Sequence, residues 1–162
     1  SAASDVYKRQ VLVCGQHGAS EQWRNMPDIN TYYKQTVEQI RQVTDKPIVI
    51  RSHPRYPEQH QFEGVTWNRP LHVQETYDDF DLDIMLANAY FTVSHSSNPG
   101  IHSIIAGVPA VVSEHSLAWD VSTSMSKWLS KPYRHQWLNR ITYTEWFADE
   151  IHIQWSRLRD YI

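Results

Sequence analysis

The chain has 162 residues, 41% hydrophobic and 20% charged, the balance of a globular domain rather than a disordered one. Its net charge of −3 gives no general attraction for nucleic acid or an anionic membrane, so any anion site has to be local. The single cysteine, Cys14, excludes an internal disulfide and points to a reducing compartment.

Residues 1–10 fit no periodicity and read as a non-native leader, leaving 11–162 as a single α/β domain. Val11 to Cys14 reads as a short buried strand ending at Gly15, with Cys14 a structural thiol rather than a nucleophile. A polar loop runs to Pro27. Asp28 is a plausible N-cap for a helix in which Ile29, Tyr33, Val37, Ile40 and Thr44 recur at helical spacing. Pro47 to Ile50 is a second buried strand and leads into Arg51-Ser52-His53-Pro54-Arg55. Val65 to Trp67 fits a short strand. Asp78 to Asn88 fits a helix with Phe80, Ile84 and Leu86-Ala87 on its apolar side. Ala89 to Val93 is a further strand and ends in Ser94-His95-Ser96-Ser97-Asn98. A short helix over Pro99 to Ala106 is stopped by Gly107, and Ala110 to Ser113 is the last strand. Ile104 to Val112, the longest nearly apolar stretch, is too short for a membrane span and holds Gly107 and Pro109, so no integral membrane segment is expected. The remainder is mainly helical, with capping-box spacing at Thr142 and Glu145 and an apolar stripe at Phe147, Ile151, Trp155, Leu158 and Ile162. Trp119, Trp128, Trp137, Trp146 and Trp155 fall nine residues apart, but their surroundings do not repeat, so the spacing is not read as a solenoid.

Alternating strands and helices predict a parallel sheet covered on both faces. Ligands of such sheets bind beyond the carboxyl ends of the strands. The loops after Cys14, Ile50 and Val93 are polar or contain glycine, and they are expected to converge on one crevice.

Three segments there carry chemistry. Asn98-Pro99-Gly100-Ile101-His102 has a favoured N-cap and a favoured first helical residue. Free amides of Gly100, Ile101 and His102, with the hydroxyls of Ser96 and Ser97, would form an anion site, and Gly100 would let a ligand approach the backbone. The bland alternative is a capped connecting helix that binds nothing. Arg51 and Arg55 flank His53, a local counter-charge for phosphate in an acidic protein. Pro54 holds His53 extended, and His53 is placed to donate to a leaving phosphate as general acid. The alternative is a solvated loop. Gly15-Gln16-His17-Gly18 suggests backbone close to a ligand, though an ordinary strand-to-helix turn explains it nearly as well. The DxD triplets in Asp78-Asp79-Phe80-Asp81-Leu82-Asp83 suit helix capping better than metal binding, so loss of Asp81 is expected to leave ligand binding unchanged. No HExxH or paired-cysteine spacing is present, and no metal site is assigned.

Val11-Leu12-Val13-Cys14-Gly15-Gln16, the helix ending Glu38-Gln39-Ile40-Arg41, and Pro47-Ile48-Val49-Ile50-Arg51-Ser52-His53-Pro54 together resemble the nucleotide-binding domain of GT-B glycosyltransferases. The likeness is greatest to enzymes of capsule and surface-polysaccharide synthesis, including transferases of CMP-activated sugars with a His-Pro motif and a serine motif. Ser96 to Pro109 is similar to their serine loop, helix and Gly-x-Pro. The resemblance implies a Rossmann-like sheet forming one half of the GT-B fold, and a nucleotide-sugar substrate with no cofactor. It also implies inverting, metal-independent transfer to a glycan acceptor. His53, Ser96 and Ser97 would contact the nucleotide phosphates, with Arg51 beside them. His102 stands where many such enzymes place a ribose-binding glutamate, a departure that leaves the nucleotide open. The acceptor domain would precede this chain, or a homodimer would cover its face, exposing aromatics near Trp146 or Trp155 in the isolated domain. The location would be cytoplasmic, either free or peripheral at the inner membrane face. Polyol-phosphate transfer from a CDP-alcohol and a non-catalytic nucleotide- or carbohydrate-binding module are the two rival readings.

Overall fold

The computed structural model describes residues 10–57, 62–73, 80–127 and 132–144. The chain divides into two compact units, Ser1–Pro132 and Tyr133–Ile162.

In the first unit, β1 (Gln10–Cys14), β2 (Ile48–Arg51), β3 (Val65–Asn68), β4 (Ala89–Val93) and β5 (Ala110–Val111) form one sheet in the order β3-β2-β1-β4-β5. Every pairing is parallel. β1 begins at Gln10, one residue inside the segment expected to be a leader. Helices α1 (Ile29–Arg41), α2 (Leu82–Ala87) and α3 (Pro99–Ile105) connect the strands. This is an α/β, Rossmann-like arrangement, as the alternating pattern predicts. The order reverses between β1 and β4, and at such a switch point the outgoing loops diverge and leave a crevice.

The core explains why β1, β2 and β4 read as continuous apolar runs. Val11 and Val13 face one side of the sheet with Ile48, Ile50, Phe91 and Val93, where Tyr33 and Ile40 of α1 cover them. Leu12 and Cys14 face the other side with Val49, Ala89, Leu86 of α2 and Val108. A strand buried on both faces cannot alternate polar and apolar residues. Each such aliphatic side chain contributes about 1.5–3 kcal/mol by leaving water.

Asp28 caps α1 as expected, its carboxylate accepting from the Thr31 amide at 3.1 Å. Gly107 takes φ +79°, the left-handed conformation that ends α3. α2 is shorter than the helix expected over Asp78 to Asn88. Phe80 instead makes an antiparallel bridge with His72 and stacks on its ring at 4.3 Å. Ile84 is 63% exposed while Leu86 is buried. Two residues along a helix are separated by about 200°, so the two cannot share a face.

In the second unit, α4 (His135–Thr144) includes Thr142, which therefore lies within a helix rather than ahead of one. Glu145, the stripe from Phe147 to Ile162, Asp78, Asp79, Trp128, Trp146 and Trp155 lie outside the described residues. Among the described residues no helix is long and apolar enough to cross a membrane.

Candidate functional site

An open cleft of about 1700 Å³ lies over the carboxyl ends of the strands. Gly15, Gln16, Arg51, His53, Arg55, Ser96, Ser97, Asn98, Ile101 and His102 all line it, so the loops after β1, β2 and β4 meet there.

Gln16 ties two of these loops together. Its Oε1 accepts from the Ser96 amide at 3.1 Å and from Ser96 Oγ at 3.0 Å, and its Nε2 donates to Gln22 at 3.3 Å. The side chain spans the switch point and is 4% exposed. Gly15 sits at the floor. Its amide donates to the Arg51 carbonyl at 2.8 Å, and a Cβ there would lie 2.0 Å from the Tyr33 hydroxyl. A side chain at this position would have to displace the Tyr33 ring. Trp23 pins the rest of the loop: it is buried, donates from Nε1 to the Pro27 carbonyl at 2.8 Å and meets His95 edge to face at 5.3 Å.

His53 owes its place to the sequence around it. The Tyr56 amide donates to the His53 carbonyl at 3.0 Å, closing a four-residue turn with Pro54 at its favoured second position. The Arg55 amide donates to His53 Nδ1 at 3.1 Å, which leaves the ring proton on Nε2. Burial, then the nearby His17 and Arg55, hold the imidazole below its usual basicity, so it is a neutral hydrogen-bond donor near pH 7.

Arg51 does not supply the free charge expected of it. Its guanidinium, 5% exposed, donates to Asn68 Oδ1 at 2.6 Å and to Asp81 Oδ1 at 2.8 Å. Burial pushes the Asp81 carboxyl up. The Leu71 amide and the Arg51 hydrogen bond and charge outweigh burial and hold it below the usual carboxylate range. Asp81 is thus an ion-pair partner, and its side chain makes no capping bond to α2. Cys14, the register partner of Arg51 on the neighbouring strand, is raised to about 12 by burial against a smaller opposing effect of Arg51, as befits a structural thiol.

The segment at α3 differs in detail from its expectation. Asn98 already has helical dihedrals and makes no side-chain cap. The Gly100 amide donates to the Ser97 carbonyl at 3.2 Å and the His102 amide to the Asn98 carbonyl at 3.1 Å, so these two amides are not free for a ligand. Gly100 does not line the cleft. A Cβ on it would meet Val112 Cγ1 at 2.8 Å and Ser94 Oγ at 2.9 Å, so it is glycine to let the helix pack on the layer below. Ser97 contributes differently: its buried Oγ, like that of Ser52, has no hydrogen-bond partner, and both residues line the cleft.

His17 and Ser52, which stand inside two of the segments singled out above without a role of their own, and His115, which stands outside them, also line the cleft. His17 follows the end of β1 by three residues, as His53 follows the end of β2 by two. No group of three or more metal-ligating side chains occurs among the described residues. The cleft thus presents hydroxyls and imidazoles beside the Arg51–Asp81 pair, with the charged Arg55, Asp83 and the Arg24–Glu21 pair also in its lining. No protein-family model and no curated protein matches the chain.

Proposed function

We propose that the cleft takes the phosphate portion of a nucleotide-sugar, and that this chain is the donor-binding half of a metal-independent GT-B glycosyltransferase of surface-polysaccharide synthesis. The observation that supports this most is that His53 and Ser52, after β2, and Ser97, after β4, line one cleft, with Gln16 of the β1 loop between them bonded to Ser96. In this reading the acceptor hydroxyl attacks the anomeric carbon as its bond to the phosphate oxygen breaks. Negative charge grows on the departing phosphate. The His53 Nε2–H and the serine hydroxyls are pre-placed for that charge and gain most in the transition state. Arg51 acts as a strut through Asp81, setting the end of β2 from which His53 projects. The glycan acceptor and the catalytic base belong to a second domain or chain.

Calorimetry with CMP, UDP and GDP, with and without EDTA, tests the reading. At least one nucleotide binds, EDTA changes nothing, and His53→Ala weakens binding by roughly tenfold or more, as for a lost hydrogen bond to a charged group. Binding of none, or binding that requires a divalent cation, refutes it. A donor panel supplied with the acceptor half then separates sugar transfer from polyol-phosphate transfer.

A further inference from the structure

Neither the His-Pro turn nor the serine loop accounts for His17. Its ring centroid lies 5.5 Å from that of His53, the planes at 70°, and 4.9 Å from that of Tyr56. Two independent turns fix the pair. The Ala19 amide donates to His17 Nδ1 at 3.2 Å, as the Arg55 amide does to His53 Nδ1 at 3.1 Å. A ring nitrogen that accepts an amide hydrogen carries none itself, so each ring holds its proton on Nε2. The two loops leave neighbouring strands and are joined by the Gly15-to-Arg51 backbone bond. Ser52, 2% exposed, adds a hydroxyl with no hydrogen-bond partner, and all three residues line the cleft. Two acids also line the cleft, Glu21, which is taken up by Arg24 at 2.5 Å, and Asp83 in the first turn of α2. Such a group of donors suits an oxyanion, whose lone pairs accept from several directions at once.

We propose that His17 and His53, with Ser52 Oγ, form a two-imidazole clamp for a single phosphate group, His17 binding it directly as His53 does. The clamp rests on the donor-binding reading only for the identity of the ligand, since inorganic phosphate presents the same oxygens.

The test is NMR of the full chain with ring-labelled histidine, titrated with inorganic phosphate, CMP and cytidine. Both rings start as Nε2–H tautomers. Both shift saturably with phosphate and CMP and neither with cytidine. His17→Ala weakens CMP binding by roughly tenfold or more, and His17→Gln, which keeps a side-chain N–H, recovers part of it. The clamp is overturned if His17 is silent while His53 responds, or if His17→Ala binds CMP as the wild type does. The first of those results leaves the donor reading standing. Both rings responding to phosphate, with CMP, UDP and GDP binding no better than phosphate itself, keeps the clamp and removes the donor reading.

Discussion

The Arg51 guanidinium and the Asp81 carboxylate lie 2.8 Å apart, joining the end of β2 to the residue that opens α2 across 30 residues of chain. Their side chains are 5% and 14% exposed. Removing one partner of such a pair strands the other charge, at a cost of about 3 kcal/mol. Asp81→Ala is expected to lower the urea midpoint accordingly, with Asp81→Asn less harmful because an amide oxygen still accepts from the Leu71 amide. The Asp81 carboxyl is depressed in the folded state, so its contribution is present above the ordinary carboxylate value of about 3.9 and is lost as pH falls below it. An Asp81→Ala midpoint equal to wild type at neutral pH would disprove the coupling.

The imidazoles give a second, milder pH dependence. Burial, followed by His17 and Arg55, lowers His53. Burial, followed by His115, lowers His95. A histidine with a depressed folded pKa binds fewer protons folded than unfolded, so stability rises with pH up to the unfolded value of about 6.5 and then levels. Urea midpoints measured between about pH 5 and pH 7.5 should climb, and His95→Gln should flatten the climb. A midpoint independent of pH across that range would contradict it.

Gly15→Ala is expected to destabilise the fold by about 1–3 kcal/mol, the usual range for overpacking, because the new methyl meets the Tyr33 hydroxyl. Tyr33→Phe removes that oxygen. In a double-mutant cycle the pair should therefore cost less than the sum of the single changes. Strict additivity would mean the clash lies elsewhere, for instance with the Arg51 carbonyl at 3.3 Å from the same Cβ.

Gly100→Ala should lower stability through Val112 and Ser94, while nucleotide affinity of the folded fraction stays as in wild type. Thermal unfolding and calorimetry on the same sample separate the two effects. Affinity lost without stability would return Gly100 to the ligand side of the helix.

The strands were legible because burial on both faces leaves unbroken apolar runs, and the Cys14 and Val93 ends fall where the polar loops begin. The convergence of three loops followed from parallel strands alone. The position of the order reversal did not, since nothing local in a strand records its neighbours. The partner of Arg51 was hidden for a related reason: Asp81 has a sufficient local explanation as a helix opener, and its actual bond is long-range. Gly100 misled because glycine looks the same whether a ligand or Val112 requires it. His53 was readable because Pro54 dictates its turn, whereas His17 has no such marker.

Gln16 has a further consequence for how this site can change over generations. Its carboxamide is directional: the oxygen takes both Ser96 donors and the nitrogen gives to Gln22. Glutamate, one nucleotide substitution away in the genetic code, keeps the shape and the acceptor but replaces a neutral amide by a buried negative charge. If the cleft accepts an anion, that smallest genetic step turns attraction into repulsion. That neighbour is then disfavoured, and a change in ligand preference is easier at exposed cleft residues such as Asn98, His102 and Leu117, where a changed side chain leaves the brace intact.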